Sequence, residues 1–343
     1  MRSSAAHRCT TYSLGGQLTH YARRRSANRH VCDIFRLTLS TKVHIISGMN
    51  KLDIAKRAQI LSMLMEGASM RSVSRLADVS INTVAKLLVE AGRFCAGYHD
   101  AKVRGVKAKR VQVDEIWSFT AAKAKNVAAM KNPVDGAGDT WTWTAIEAQT
   151  KLIISHFVGG RDGECAAWFM NDVAERVANR IQLTSDGHKA YLEAVEGAFG
   201  ADVDYAMLNK IYGASSEAAK GRYSPAECIG AKKERIEGKP DMAHVSTSYA
   251  ERANLTMRMH NRRFTRLTNA FSKKFENHAH MVAIYAVWYN FLRVHKTLRV
   301  TPAMAAGLSE TIMDWAQIVE AMDADAPAKK RGPYKKRLAE ISN

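Results

Sequence analysis

The sequence contains no apolar run near the roughly eighteen residues a membrane span needs, and no closely spaced pair of cysteines. Its five cysteines (Cys9, Cys32, Cys95, Cys165 and Cys228) are scattered, without Cys-x-x-Cys or Cys/His ligand spacing. That excludes a zinc ribbon and a disulfide framework, and it fits a reducing cytosol. Acids are almost missing from residues 1–48, which are rich in Arg, Ser, Thr and His and include Arg23, Arg24 and Arg25. This stretch has no apolar core of the kind a secretion signal carries. We expect it to be a basic extension, disordered or non-native, ahead of a start at Met49. A basic arm that binds DNA is the functional alternative.

The chain of 343 residues is long enough for a sizeable core and more than one domain. A hydrophobic fraction of 46% without a long apolar run predicts a soluble protein with no membrane partner, which with the cysteine usage is expected in the cytoplasm. A formal charge of +18 and a pI near 9.8 call for a polyanion, with nucleic acid first.

Residues 49–98 have the texture of helices. Ile54, Ile60, Leu61 and Leu64 mark one apolar face, closed by Gly67. A short helix over Ser69–Ala77 follows, then a turn at Asp78-Val-Ser80 and a third helix from Ile81, expected to end at Gly92. Helix, tight turn, helix is helix-turn-helix geometry. Asn82, Thr83 and Lys86 lie opposite Val84, Leu87 and Leu88 and are the candidates for reading bases. Residues 99–110 are basic, carry a Gly and read as a linker into the core.

The core starts with Val111-Gln-Val-Asp-Glu-Ile-Trp117, which alternates as a strand does. Two adjacent carboxylates, Asp114 and Glu115, sit in its middle. Buried carboxylates are costly unless neutralised, and a cation neutralises them well. Neighbouring strand side chains point to opposite faces, so only one of the two is expected at a given site. Asp186 closes another short strand at Asp-Gly, where open α/β sheets bind ligands. Glu251 follows Ser and Thr and falls in the first turns of a helix. Two strand-borne Asp and a helix-borne Glu could hold two divalent cations about 4 Å apart for in-line attack on a phosphodiester.

Asp114-Glu-Ile-Trp117, Thr184-Ser-Asp-Gly-His-Lys-Ala-Tyr191 and Glu251-Arg-Ala-Asn-Leu-Thr-Met-Arg-Met-His-Asn-Arg-Arg263, followed by Phe271-Ser-Lys-Lys274, together resemble the DDE transposases of bacterial insertion sequences, the IS-one family in particular. The resemblance runs from about Lys51 to Leu308. It implies a ribonuclease H-like core with Asp114, Asp186 and Glu251 as ligands of Mg²⁺, with Mn²⁺ as a substitute. The family carries a basic residue seven positions after the Glu, here Arg258, which shares a helix face with Glu251. Glu115 is the alternative strand ligand. His188 could reach the metal but reads as structural, as do Asn290 and His295 near the end of the resemblance.

The remaining pattern predicts three meander strands (around Asp114, Thr140–Ile146 and Lys151–Val158). A helix from Asp162 to Asn179, the Asp186 strand, a helix from Lys189 to Phe199 and a strand over Val203–Leu208 follow. The predicted fold class is α/β: a mixed sheet core covered by helices and preceded by the all-α helix-turn-helix unit. The catalytic domain is expected over 111–308, with 212–247 as a long insertion lacking clear structure. A helix and a basic tail follow over 309–343. Arg252, Arg262 and Arg263 are candidate DNA contacts beside Glu251. Arg222, Lys232, Lys233 and Arg235 in the insertion read equally as DNA contacts or as solvated charge.

The expected activity is cleavage at inverted-repeat ends and transfer of the cut strand into target DNA. The partner is double-stranded DNA in the bacterial nucleoid. Two ends must be held together, so a homo-oligomer on DNA is expected. Two other readings stand beside this one: a transcription regulator that binds DNA without chemistry, and a nuclease of the same fold that cuts without joining.

Overall fold

A computed structural model of the chain describes residues 51–213, 228–265 and 268–326. The extension expected over 1–48, Arg222 and the basic tail from Pro327 lie outside the described residues. Three helices come first: α1 (Ile54–Met65), α2 (Met70–Leu76) and α3 (Ile81–Lys102). Each starts on a short polar side chain that accepts backbone N–H groups. Asp53 accepts from Lys56, Ser69 from Ser72, and Ser80 from Asn82 and Thr83. These caps satisfy donors that a first turn leaves unpaired. Ile60, Leu61, Leu64, Val73, Val84, Leu87 and Leu88 are all buried.

Helix α3 does not stop at Gly92; it continues for ten more residues to Lys102. The glycine is there for close packing. A Cβ built on Gly92 would stand 2.2 Å from His280 Cβ and 2.7 Å from His280 Cα. Only a residue without a side chain lets a second helix cross so near. The segment read as a linker is also packed. Val103, Val106 and Ala108 are buried, and Val106 exchanges backbone hydrogen bonds with Arg176 and Ala178 at 2.8 and 2.9 Å.

Strands β1 (Arg110–Thr120), β2 (Gly138–Glu147) and β3 (Ile153–Gly159) form an antiparallel meander. A short helix α4 (Ala124–Val127) sits in the β1–β2 connection. Helix α5 (Gly163–Arg176) leads to β4 (Ile181–Asp186), and α6 (Ala190–Phe199) leads to β5 (Val203–Tyr212); both strands run parallel to β1. Strand β6 (Cys228–Glu237) returns antiparallel along β5, giving the order β3-β2-β1-β4-β5-β6. The insertion expected to lack structure is therefore partly a ribbon that extends the sheet. Nearly every side chain of β6 is exposed, so it carries no apolar alternation.

Helices α5 and α6 pack on one face of the sheet. Helices α7 (Ser248–His260) and α8 (Phe275–Val287) pack on the other, with α3 behind α8. Helix α8 ends at Val287 and passes into a π-helical turn over Trp288–Leu292. Asn290 in that turn serves the free edge of β3. Its Oδ1 accepts from Ile153 N at 2.9 Å and its Nδ2 donates to Ile153 O at 2.8 Å. Backbone groups on a buried edge strand need such partners.

Two further helices, α9 (Pro302–Ala305) and α10 (Trp315–Asp325), complete the described fold. Asp323 on α10 takes both Nη atoms of the buried Arg57 on α1, at 2.6 and 2.7 Å, and also pairs with Lys51. The hydrogen bond from Arg57 pulls its pKa down to about 2. Asp323→Ala is expected to cost about 1–2 kcal/mol, since the carboxylate is partly exposed but its loss leaves a buried guanidinium short of a partner. A depressed carboxylate pKa contributes stability above its unfolded value and loses it as pH falls through the folded one. The gap between wild-type and variant melting temperatures should therefore be full at pH 7 and close below pH 4, towards pH 2.

Candidate metal centre

The site lies where β1 and β4 part. They pair only from Arg110–Gln182 to Gln112–Thr184. Two residues further on, Asp114 and Asp186 would face each other, and there the strands no longer bond. Asp114, Glu115 and Asp186 each bring a carboxylate oxygen within 4.8 Å of the other two. On β1 the two neighbours still point to opposite faces, Asp114 towards α7 (Ser248–His260) and Glu115 towards Arg161 and Tyr191. At the open end of the sheet, Asp186 stands within reach of both faces.

The two neighbours on β1 have different surroundings. The Glu115 side chain is only 1% exposed. Its Oε1 accepts from Arg161 Nη2 at 2.6 Å and Nε at 2.8 Å, and its Oε2 from the Tyr191 hydroxyl at 3.1 Å. It is a buried carboxylate whose partners are already supplied. Asp114 faces α7. Its Oδ1 accepts from Glu115 N at 2.9 Å and its Oδ2 from Asn254 Nδ2 at 2.7 Å. Asp186 Oδ1 accepts from His188 N at 3.0 Å, and its Oδ2 is 3.9 Å from Arg161.

These surroundings set the electrostatics. Burial, then the charges of Glu115 and Asp186, push the Asp114 carboxyl up to about 7, and the charge of Glu251 adds to the push. Glu115 is also raised, by burial and then by Asp186, against the pull of Arg161 and Tyr191. Close carboxylates with too few counter-charges oppose their own ionisation. A hard divalent cation, which takes oxygen ligands, fits this donor set and would reverse that effect.

Helix α7 is fixed against β1 by the Gln112 side chain, whose Oε1 accepts from Tyr249 N at 2.8 Å and Ala250 N at 3.2 Å. Glu251 and Asn254, one turn apart, therefore approach the same end of the sheet. Glu251 stands outside the tight three-acid group. Its Oε1 accepts from Lys210 Nζ at 2.6 Å and Thr247 Oγ1 at 2.5 Å. Arg258 lies two turns along α7 and is half-buried, while Arg252 is exposed. Arg262 lies in a 3-10 turn after the helix. Arg263 turns back to α2, where its Nη2 meets Met70 Sδ at 3.0 Å. On α3, Asn82 and Lys86 are exposed and Thr83 is half-buried. The His188 ring packs against Trp143 and Tyr191, with centroids 5.8 and 5.9 Å away.

Four partners in this site escape a reading of the sequence: Arg161, Tyr191, Lys210 and Asn254. Tyr191 and Asn254 carried a signal: Tyr191 closes the motif around Asp186, and Asn254 is three residues after Glu251 and so on the same helix face. Arg161 and Lys210 lie on other elements, and nothing local marks them.

No family model matches the chain, and no curated protein matches it. Among solved structures it is similar to a piggyBac transposase synaptic complex with hairpin DNA. That match has 9% identity and a TM-score of 0.36, over 86% of this chain and 78% of that one. It is also similar to a pre-cleavage Mos1 transpososome, at 9% identity and a TM-score of 0.23, over 84% of each chain. No helix among the described residues is long and apolar enough to cross a membrane.

Proposed function

We propose that the chain is a DDE transposase of the insertion-sequence type, similar to the IS-one family, which cuts DNA at inverted-repeat ends and joins the cut strand to target DNA. The observation that carries this reading is the meeting of acids from different elements at the open end of β1 and β4. Asp114 and Asp186 lie together, with Glu251 close enough to raise the Asp114 pKa. The strand order β3-β2-β1-β4-β5 supports a ribonuclease H-like core.

Asp114, Asp186 and Glu251 would hold two Mg²⁺, or Mn²⁺ in its place. Bound there, the ions supply an activated water or 3′-hydroxyl and a stabilised leaving oxygen. Glu115 anchors Arg161 at the rim of the site. Asn254 orients Asp114, and Arg258 would bind the phosphate or align the DNA. Asn82 and Lys86 are exposed at the start of α3, where a recognition helix would present them, and the half-buried Thr83 lies beside them. Arg252 and Arg262 add charge that holds a backbone in register without reading sequence, and Arg263 would do so only if it left Met70. DNA is the partner, and a homo-oligomer would hold two ends.

The test uses protein starting at Met49 and a plasmid carrying the gene with its flanking DNA. Nicks at short inverted repeats that need Mg²⁺, followed by strand-transfer products, are expected from wild type and from none of the Asp186→Ala protein. Cutting without joining would indicate a nuclease. Equal, tight binding without cutting by both proteins would indicate a DNA-binding regulator.

A further inference from the structure

Of the three proposed ligands, Glu251 is the one held directly by an ammonium. Lys210 Nζ lies 2.6 Å from Glu251 Oε1. Lys210 belongs to β5, two residues beyond Leu208, and Leu208 is paired with Asp186. Residues two apart on a strand share a face, so Lys210 projects on the same side as Asp186. Its cross-strand neighbour on β6 is Ala231, which is too short to cover it. An ammonium here offsets the Glu251 charge that otherwise presses on Asp114.

The site contains a second such pair, and the contrast is informative. Arg161 is held by Glu115, whose side chain is 1% exposed, and also lies 4.7 Å over the Trp141 ring. That pair is fixed in place. The side chains of Lys210 and Glu251 are 32% and 43% exposed. A pair so open to water is weak, and a divalent ion can displace it.

Resting on the two-cation reading above, we propose that Lys210 is a placeholder for the cation at Glu251. Its ammonium holds the carboxylate until a divalent ion takes that oxygen. The released ammonium then lies on the acid-bearing face, where a nucleic-acid phosphate must enter, and binds that phosphate. Lys210 is a positioning residue in the first state and a phosphate contact in the second.

The test measures Mn²⁺ uptake by the full-length protein without DNA, from the signal of free Mn²⁺ in electron paramagnetic resonance. Lys210→Met is expected to bind Mn²⁺ about two- to five-fold more tightly, the range set by a weak exposed ion pair. Lys210→Arg, which keeps the pair, should not gain. In a Glu251→Gln background, Lys210→Met should change nothing. Duplex DNA binding by Lys210→Met should weaken in Ca²⁺ and match wild type in EDTA.

Unchanged or weaker Mn²⁺ uptake by Lys210→Met overturns the placeholder. Equal loss of DNA binding with and without Ca²⁺ overturns the phosphate contact. The parent reading fails separately, if wild type takes up no Mn²⁺ or if Asp186→Asn takes up as much as wild type.

Discussion

Asp114→Asn is expected to give a protein that melts at a higher temperature than wild type in EDTA at pH 8, and that in Mg²⁺ cuts DNA more slowly by about a thousandfold or more. Asp114 is crowded by Glu115 and Asp186, and burial with these charges lifts its pKa from 3.8 to about 7. A group whose folded pKa is raised contributes stability that is fully present below its unfolded value and lost as pH rises through the folded one. Metal-free wild type should therefore lose stability between about pH 4 and pH 7, by on the order of 2–4 kcal/mol. Glu115, raised as well, acts with the same sign.

Asparagine cannot ionise, so the variant should lose most of this pH dependence. It also gives up one of the two acceptor oxygens that serve Glu115 N and Asn254, which tempers the gain. Saturating Mg²⁺ should reverse the order, because a ligand bound only by the folded state stabilises it by mass action. Cleavage should fall about a thousandfold or more, since metal stabilisation of a transition state amounts to several kcal/mol. Paired melting curves with EDTA and Mg²⁺ at pH 5 and pH 8 check the stability half, and a nicking assay checks the rest. A variant less stable than wild type in EDTA at pH 8 would contradict the crowding argument.

Gly92→Ala and Gly97→Ala, five residues apart on α3, should move stability in opposite directions. Alanine ordinarily improves a helix interior by up to about 1 kcal/mol over glycine. Nothing lies within 4 Å of a Cβ at Gly97, so that substitution should stabilise. At Gly92 the added carbon would sit 2.2 Å from His280 Cβ, and His280 belongs to the helix that crosses there. Overpacking of this kind costs about 1–3 kcal/mol and can cost more where backbone must move. Urea unfolding midpoints of both variants decide the matter. A gain at Gly92 would mean that α3 and α8 do not cross as described.

Gly92 also marks a limit of reading this sequence. Glycine near the end of an apolar pattern is a reasonable helix stop, and only tertiary contact separates a stop from a crossing point. Strand β6 was hidden for a different reason. Cys228-Ile-Gly-Ala-Lys-Lys-Glu-Arg-Ile-Glu237 buries almost nothing, so pairing with β5 leaves no hydrophobic period to find. Strands β1, β2 and β3 were legible because each buries side chains in a pattern that sequence displays.

At the site, the acids were legible as a carboxylate pair in the middle of one strand, an Asp at the end of another and a Glu in the first turn of a helix. The cations that balance them were not. Arg161 and Lys210 come from a loop and from the far end of a strand, and only the fold brings them to Glu115 and Glu251. Assigning one face to Asp114 and the other to Glu115 was sound within a paired strand. What sequence does not show is that β1 runs past its pairing with β4, and that gap lets Asp186 reach both.

The most direct test of the central claim, that these carboxylates hold divalent cations, is anomalous diffraction from crystals of the full-length protein soaked in Mn²⁺. A peak is expected between Asp114 and Asp186 and a second beside Glu251, with Glu115 still on Arg161. Diffraction to the same limit with no peak at any of these carboxylates would contradict it.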